Sequence, residues 1–182
     1  MSKPSTNLRL FVGIYPPPEI QRWLVNRLRK LTLPSHRPSE LEQVHMTVQF
    51  IGDVAASQLE ATIESVRRSA SGLSPFQLQP HKLISLPQRG AARLVAAECE
   101  APPVLLELQR RLAVRLADPK RRKREDGFLA HFTLCRFSPR MIEPIDWPIE
   151  CEPFPVARVM LMRSTLLPTG ARHEEIAAVE LT

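Results

Sequence analysis

Two short stretches, "HMTVQF" at 45–50 and "HFTLCRF" at 131–137, each place a histidine two residues before a threonine, with an apolar residue between them and another after. On a strand, positions i and i+2 share a face. His45 and Thr47 therefore point the same way, and so do His131 and Thr133. An imidazole exchanges its proton near neutral pH, and a hydroxyl can hold an anionic oxygen. Two such pairs meeting in one small volume suit attack on a phosphate ester. One neutral histidine takes a proton from water, the other, protonated, gives one to the leaving oxygen, and the hydroxyls hold the phosphoryl oxygens. A single HxT carries almost no information, because threonine is an ordinary strand former. Two copies, one in each half of a chain with five histidines, are hard to explain as a pair of structural imidazoles.

The elements that position these residues follow from hydrophobic periodicity. "VHMTVQFIG" (44–52) alternates, which sends Val44, Met46, Val48 and Phe50 to the core and His45, Thr47 and Gln49 away from it. In the second stretch strict alternation sets Arg136 opposite His131 and Thr133, so it joins them only if the strand bulges or ends there. "LRLFVGI" (8–14) reads as a first strand, with Phe11 in the core, and apolar spacing after three prolines predicts a helix near 17–31. A second helix starts after Ser57, read as its cap with Glu60 three residues on, and stops at Gly72. Strands are expected over 76–86, with an edge or bulge at Pro80, and over 92–100. A helix follows over 102–118, with Leu105, Leu108, Leu112 and Leu116 on one face. Strands at 131–137, 156–166 and 173–181 complete the chain. Interleaved helices and strands, some strands adjacent in sequence, make the class α+β. With one HxT strand in each half, the simple geometry is a single bilobal domain over 1–182. Its lobes of antiparallel strands are related by a pseudo-twofold, helices pack outside, and the HxT strands face a central cleft.

Composition narrows the function classes. The chain has 182 residues, 43% hydrophobic and 24% charged, as in a folded globular protein. No apolar run approaches the roughly 18 residues a membrane span needs, and the N-terminus is broken by prolines too early for a secretory signal. Cys99, Cys135 and Cys151 are odd in number and contain no CxxC pair, which favours reduced thiols and a cytoplasmic setting. The net charge of +6 favours polyanionic partners. Its densest run is Lys120, Arg121, Arg122, Lys123 and Arg124, either a solvated loop or a contact to RNA phosphates. Aromatic residues, at 5%, are too few for a broad base-stacking platform. His36, His81 and His173 lack the motif and read as surface or structural. No HxH, HExxH or cysteine pair supports a metal site, and no GxxxxGK[ST] or nucleotidyl-transfer lysine supports a nucleotide-dependent ligase.

Taken together, "RLFVGIYPPPEI", "HMTVQFIGDV", "HFTLCR" and "RSTLLPTGARHEEIAAVEL" resemble the two-histidine phosphoesterase superfamily over nearly the whole chain. Within it they resemble the RNA 2′,3′-cyclic phosphodiesterases, also called 2′-5′ RNA ligases. The chain departs from that pattern at His173, where the family usually has Tyr, at Gln49, and in an 83–98 hairpin lacking its usual aromatic. The resemblance implies the bilobal α+β fold, no metal or other cofactor, and hydrolysis of a terminal 2′,3′-cyclic phosphate to a 2′-phosphate. It implies His45 as proton donor and His131 as acceptor, and it favours Arg136 beside Thr47 and Thr133 as a phosphate ligand. Expected partners are RNA ends with a cyclic phosphate, or small cyclic nucleotides, bound by a monomer. A non-catalytic RNA- or nucleotide-binding module is the alternative of another class, but binding alone does not need two proton-transfer groups.

Overall fold

The computed structural model describes residues 7–117, 127–168 and 170–182. In chain order the elements are β1 (Asn7–Ile14), α1 (Pro18–Leu28), β2 (Arg37–Pro38), β3 (Met46–Ala55), α2 (Leu59–Ala70), β4 (Phe76–Leu78) and β5 (Pro80–Leu86). They continue as β6 (Ala92–Cys99), α3 (Pro103–Leu116), β7 (His131–Arg140), β8 (Asp146–Pro148), β9 (Phe154–Val156), β10 (Arg158–Leu167) and β11 (Gly170–Glu180). The basic run Lys120, Arg121, Arg122, Lys123 and Arg124 lies outside the described residues.

The strands form a four-stranded sheet of order β11-β10-β1-β3 and a five-stranded sheet of order β2-β7-β6-β5-β8, with β4 and β9 as a separate pair. All the strand pairings are antiparallel. The halves repeat one plan. A strand (β1 or β6) leads into a helix (α1 or α3), and the chain returns as an HxT strand (β3 or β7) beside the first. The two HxT strands touch where the sheets meet. The α+β, two-lobed architecture is thus the one expected.

One continuous core joins the halves. Leu10, Val12 and Ile14 of β1, Val44, Met46 and Val48 at β3, Leu105, Leu108 and Leu112 of α3, and Phe132 and Leu134 of β7 are all buried. Burying a side chain of this size contributes about 1.5–3 kcal/mol, so the strands carrying the histidines are among the most firmly held. Gln21, a buried polar residue of α1, donates from Nε2 to the Val44 carbonyl at 3.3 Å and fixes the helix against the start of β3.

Three local expectations change. Ser57 does not cap α2: a 3-10 turn over Ala56–Gln58 precedes the helix, whose N-cap is Gln58 with no side-chain cap bond. The stretch 76–86 is two strands, because Gln79 interrupts it and donates to the Cys151 carbonyl at 2.9 Å. Pro80 then opens β5, next to the shift in register that its missing N–H favours. Phe50 is not a core residue. The β1–β3 register slips twice, once between Leu10 and Phe11 and once between Val12 and Gly13, and the core side of β3 passes from Val48 to Ile51. Phe50 is thereby turned to the opposite face.

Candidate active site

That face lines a cleft of about 380 Å³ between the sheets. Its walls include His45, Thr47 and Phe50 from β3 and the residue before it, and His131, Thr133 and Arg136 from β7. All five residues expected around a phosphate are therefore brought together. His36 and His81 do not line the cleft; His36 is exposed, with Nδ1 2.8 Å from the Pro34 carbonyl.

Arg136 gets there by the bulge that strict alternation lacks. Along β6 and β7, Ala96 pairs with Thr133, while Val95 pairs with Cys135 and Leu94 with Arg136, so Leu134 is passed over. Leu134 and Cys135 are consecutive and both buried. The next side chain, Arg136, faces the cleft with His131 and Thr133. Ser39, just after β2, secures the irregular backbone: its hydroxyl donates to the Thr133 carbonyl at 3.0 Å and its N–H to the Leu134 carbonyl at 2.8 Å. The first motif uses the same device. Gly13 pairs with Thr47 and Val12 with Gln49, so Val48 is passed over and Phe50 takes the place that Arg136 has in the second.

Both imidazoles are oriented identically. Nδ1 of His45 lies 2.7 Å from the Gln43 carbonyl, and Nδ1 of His131 lies 2.8 Å from the Leu129 carbonyl. A carbonyl oxygen only accepts, so each Nδ1 carries the proton and each neutral ring keeps its lone pair on Nε2. At His45 the Thr47 hydroxyl sits 3.2 Å from that Nε2 and can donate to it. The motif spacing thus pairs a ring nitrogen with a hydroxyl on the first strand and sets His131 and Thr133 side by side in the cleft on the second.

The surroundings of the two rings differ. His45 is boxed by aromatics: Phe11 at 4.9 Å, Tyr15 stacked at 5.2 Å, and His173 edge-on at 4.7 Å between ring centroids. Burial, opposed by the Gln43 carbonyl and reinforced by His173, Arg136 and His131, lowers its pKa from 6.5 to about 4. His131 is also lowered, first by burial and also by Arg136, while the Leu129 carbonyl and Glu98 act the other way. Phe11 is buried as expected, but its ring forms cleft wall against His45 and His173. His173, read from sequence as surface or structural, is a cleft residue, with its Nδ1 3.4 Å from the Tyr15 hydroxyl. No local motif marks it, because it arrives through a neighbouring strand pair. The aromatic residue usual at this position in the resembling family was the available sign. Among the described residues no group of three or more His, Cys, Asp and Glu side chains is arranged to hold a metal ion. Nor, among those residues, is any helix long and apolar enough to cross a membrane.

Comparison with known proteins gives the family and the fold. The model of the 2′-5′ RNA ligase superfamily matches residues 16–165. A curated relative, the RNA 2′,3′-cyclic phosphodiesterase of Methanothermobacter thermautotrophicus, is 27% identical over 149 residues, covering 78% of this chain and 80% of the relative. The crystal structure of TT0787 of Thermus thermophilus has a TM-score of 0.78 at 24% identity, covering 96% of this chain and 98% of that one. E. coli LigT complexed with 3′-AMP has a TM-score of 0.76 at 24% identity, covering 97% and 99%. The paired HxT strands, the shared cleft and the family match over most of the chain establish that the protein belongs to the 2′-5′ RNA ligase superfamily, the two-histidine phosphoesterases.

Proposed function

We propose that the protein hydrolyses the terminal 2′,3′-cyclic phosphate of RNA to a 2′-phosphomonoester by metal-independent acid–base catalysis. The observation that carries this is the pair of identically oriented imidazoles, each with Nδ1 tied to a carbonyl and Nε2 left for chemistry, lining one cleft. His131 takes a proton from water as its oxygen attacks phosphorus. The bond from phosphorus to the 3′-oxygen breaks, and His45 gives that oxygen its proton. One water is consumed, and the phosphate stays on the 2′-oxygen. Thr47, Thr133 and Arg136 hold the non-bridging oxygens, whose charge grows in the transition state. The resting His45 is neutral, and the phosphodiester anion supplies the opposite charge that favours its protonation on binding.

Three further observations support a nucleotide end as substrate. The curated relative is named as an RNA 2′,3′-cyclic phosphodiesterase. E. coli LigT, of the same fold, was crystallised with 3′-AMP and with phosphate. The chain's excess of positive charge also suits a polyanion. The enzyme is read as a cytoplasmic monomer, with Lys120 to Arg124 attracting RNA phosphates upstream of the reacting end. Incubating the purified protein with an RNA oligonucleotide ending in a 2′,3′-cyclic phosphate tests the reaction. A 2′-phosphate product, formed in the presence of a chelator, is expected. A 3′-phosphate product, or activity that needs an added divalent ion, would refute this mechanism.

A further inference from the structure

Two more guanidinium groups line the cleft without a part in the reaction above. Arg37 of β2 stands opposite Arg136 of β7 in the strand register. Like charges so placed destabilise a strand pair. An anion beside the two guanidinium groups would offset that repulsion. Arg37 reaches across from the five-stranded sheet to the hairpin of the four-stranded one, where its head lies against Gly170. A Cβ there would stand 3.0 Å from Nη1 and 3.2 Å from Nη2, so the missing side chain makes the room the guanidinium occupies. Arg9 comes from the other sheet. It lies over the Phe50 ring, 4.9 Å from its centroid, and its Nε is buried with no hydrogen-bond partner among the described residues. Along β1, Arg9 is two residues, about 7 Å, beyond Phe11, whose ring touches that of His45. Among the described lining residues Glu40 is the single acid against three arginines, Arg9, Arg37 and Arg136.

We infer that Arg9 and Arg37 form a second anion subsite, whose occupant is the phosphodiester linking the last two nucleotides of an RNA strand. Guanidinium forks match phosphate oxygens two at a time, and the two arginines face the cleft from different sheets, as the two histidines do. The inference rests on the proposed reaction for the identity of the strand, and it makes a dinucleotide the smallest substrate that uses the whole cleft. It does not involve the Lys120–Arg124 run.

The test compares two unreactive probes, a nucleoside 3′-phosphate with one phosphate and a dinucleotide 3′-phosphate with two. Binding to the wild-type protein and to Arg9→Gln/Arg37→Gln is measured by calorimetry over a range of salt. The wild-type protein should bind the dinucleotide at least about tenfold more tightly. The double variant should lose most of that margin while changing affinity for the mononucleotide less than about threefold. For the dinucleotide its slope of log affinity against log salt should fall by about 0.7 for each lost phosphate contact. Either single variant, with half the change, serves if the double variant does not fold. Equal losses on both probes, no loss on either, or no wild-type preference for the second phosphate would overturn the subsite. Hydrolysis of a cyclic mononucleotide by the wild-type protein reports on the reaction alone. A chain that binds both probes as expected but hydrolyses nothing keeps the subsite and loses the proposed activity.

Discussion

The two motif strands, β3 and β7, share a backbone plan and differ in what surrounds it. Each histidine ties Nδ1 to the carbonyl two residues earlier. Each threonine follows two residues on, and each strand passes over the next residue so that the fifth position after the histidine turns into the cleft. At that fifth position the first motif has Phe50 and the second Arg136. Around His45 stand three rings, whereas Arg136 and Glu98 bear with opposite sign on the charge of His131. The local backbone decides which atoms face the cleft. The neighbours decide how tightly each nitrogen holds its proton. Duplicating a strand therefore supplies two imidazoles held the same way, and the unequal walls set different surroundings for the proton of each.

Removing either histidine breaks the comparison most severely. His45→Ala and His131→Ala should each lower kcat by about 10³-fold, within the range for general acid–base groups. A variant retaining more than a tenth of wild-type kcat would show that its imidazole is not a proton-transfer group. The fifth positions should separate next. Arg136→Met should reduce kcat/KM about 10- to 100-fold by removing a charge-assisted contact to phosphate, and Phe50→Leu should change it less than about threefold. Equal effects would mean that the two bulges do the same job.

A third change tests how the His45 side is built. Gly13 pairs with Thr47 and lies under the His45 ring. A Cβ on Gly13 would come within 3.1 Å of the Phe11 ring, 3.2 Å of the Met46 carbonyl and 3.5 Å of Cδ2 of His45. Gly13→Ala should cost about 1–3 kcal/mol of stability through overpacking against the Phe11 ring and the Met46 carbonyl, and, because Phe11 packs on His45, it should shift the imidazole indirectly and lower kcat about tenfold. Denaturant melts and steady-state rates measure the two effects. A variant of unchanged stability and rate would show that the ring has room to move.

Much of this site was legible because its signals are local. HxT on an alternating strand needs only period two, and its repetition in the other half implies a shared cleft. The class and the helix faces also follow from periodicity, as with Leu105, Leu108 and Leu112, all fully buried. What stayed hidden depends on partners distant in sequence. Phe50 reads as core because a bulge is a property of two strands, and β1 lies some forty residues from β3. Arg136 carried a stated condition, a bulge, which β6 and Ser39 supply. His173 enters through β10, whose other neighbour is β1, so nothing adjacent to it in sequence marks it as a cleft residue. Ser57 failed as a cap because the 3-10 turn over Ala56–Gln58 moved the helix start beyond it.

The smallest expected effect is also the most direct measure of unequal walls. On the proposed mechanism, productive encounter in the free enzyme needs His45 protonated and His131 neutral. His45 loses its proton as pH rises through about 4, and His131, also lowered from 6.5, loses its acceptor capacity as pH falls through its own value. Both limbs of kcat/KM therefore lie on the acid side, and its maximum should fall below about pH 6.5. In the complex the phosphate anion favours both cations, so the maximum of kcat should lie higher. His173 is one of the charges that oppose the His45 cation. His173→Phe keeps a ring edge-on to His45 and removes that charge. It should move the kcat/KM maximum upward by less than about one unit, with kcat within about threefold of wild type. A wild-type kcat/KM maximum above pH 8 would contradict the aromatic box around His45. A downward shift in the variant would show that His173 supports the imidazolium, most simply by accepting a hydrogen bond from it, and would turn the wall of the donor site into part of its proton path.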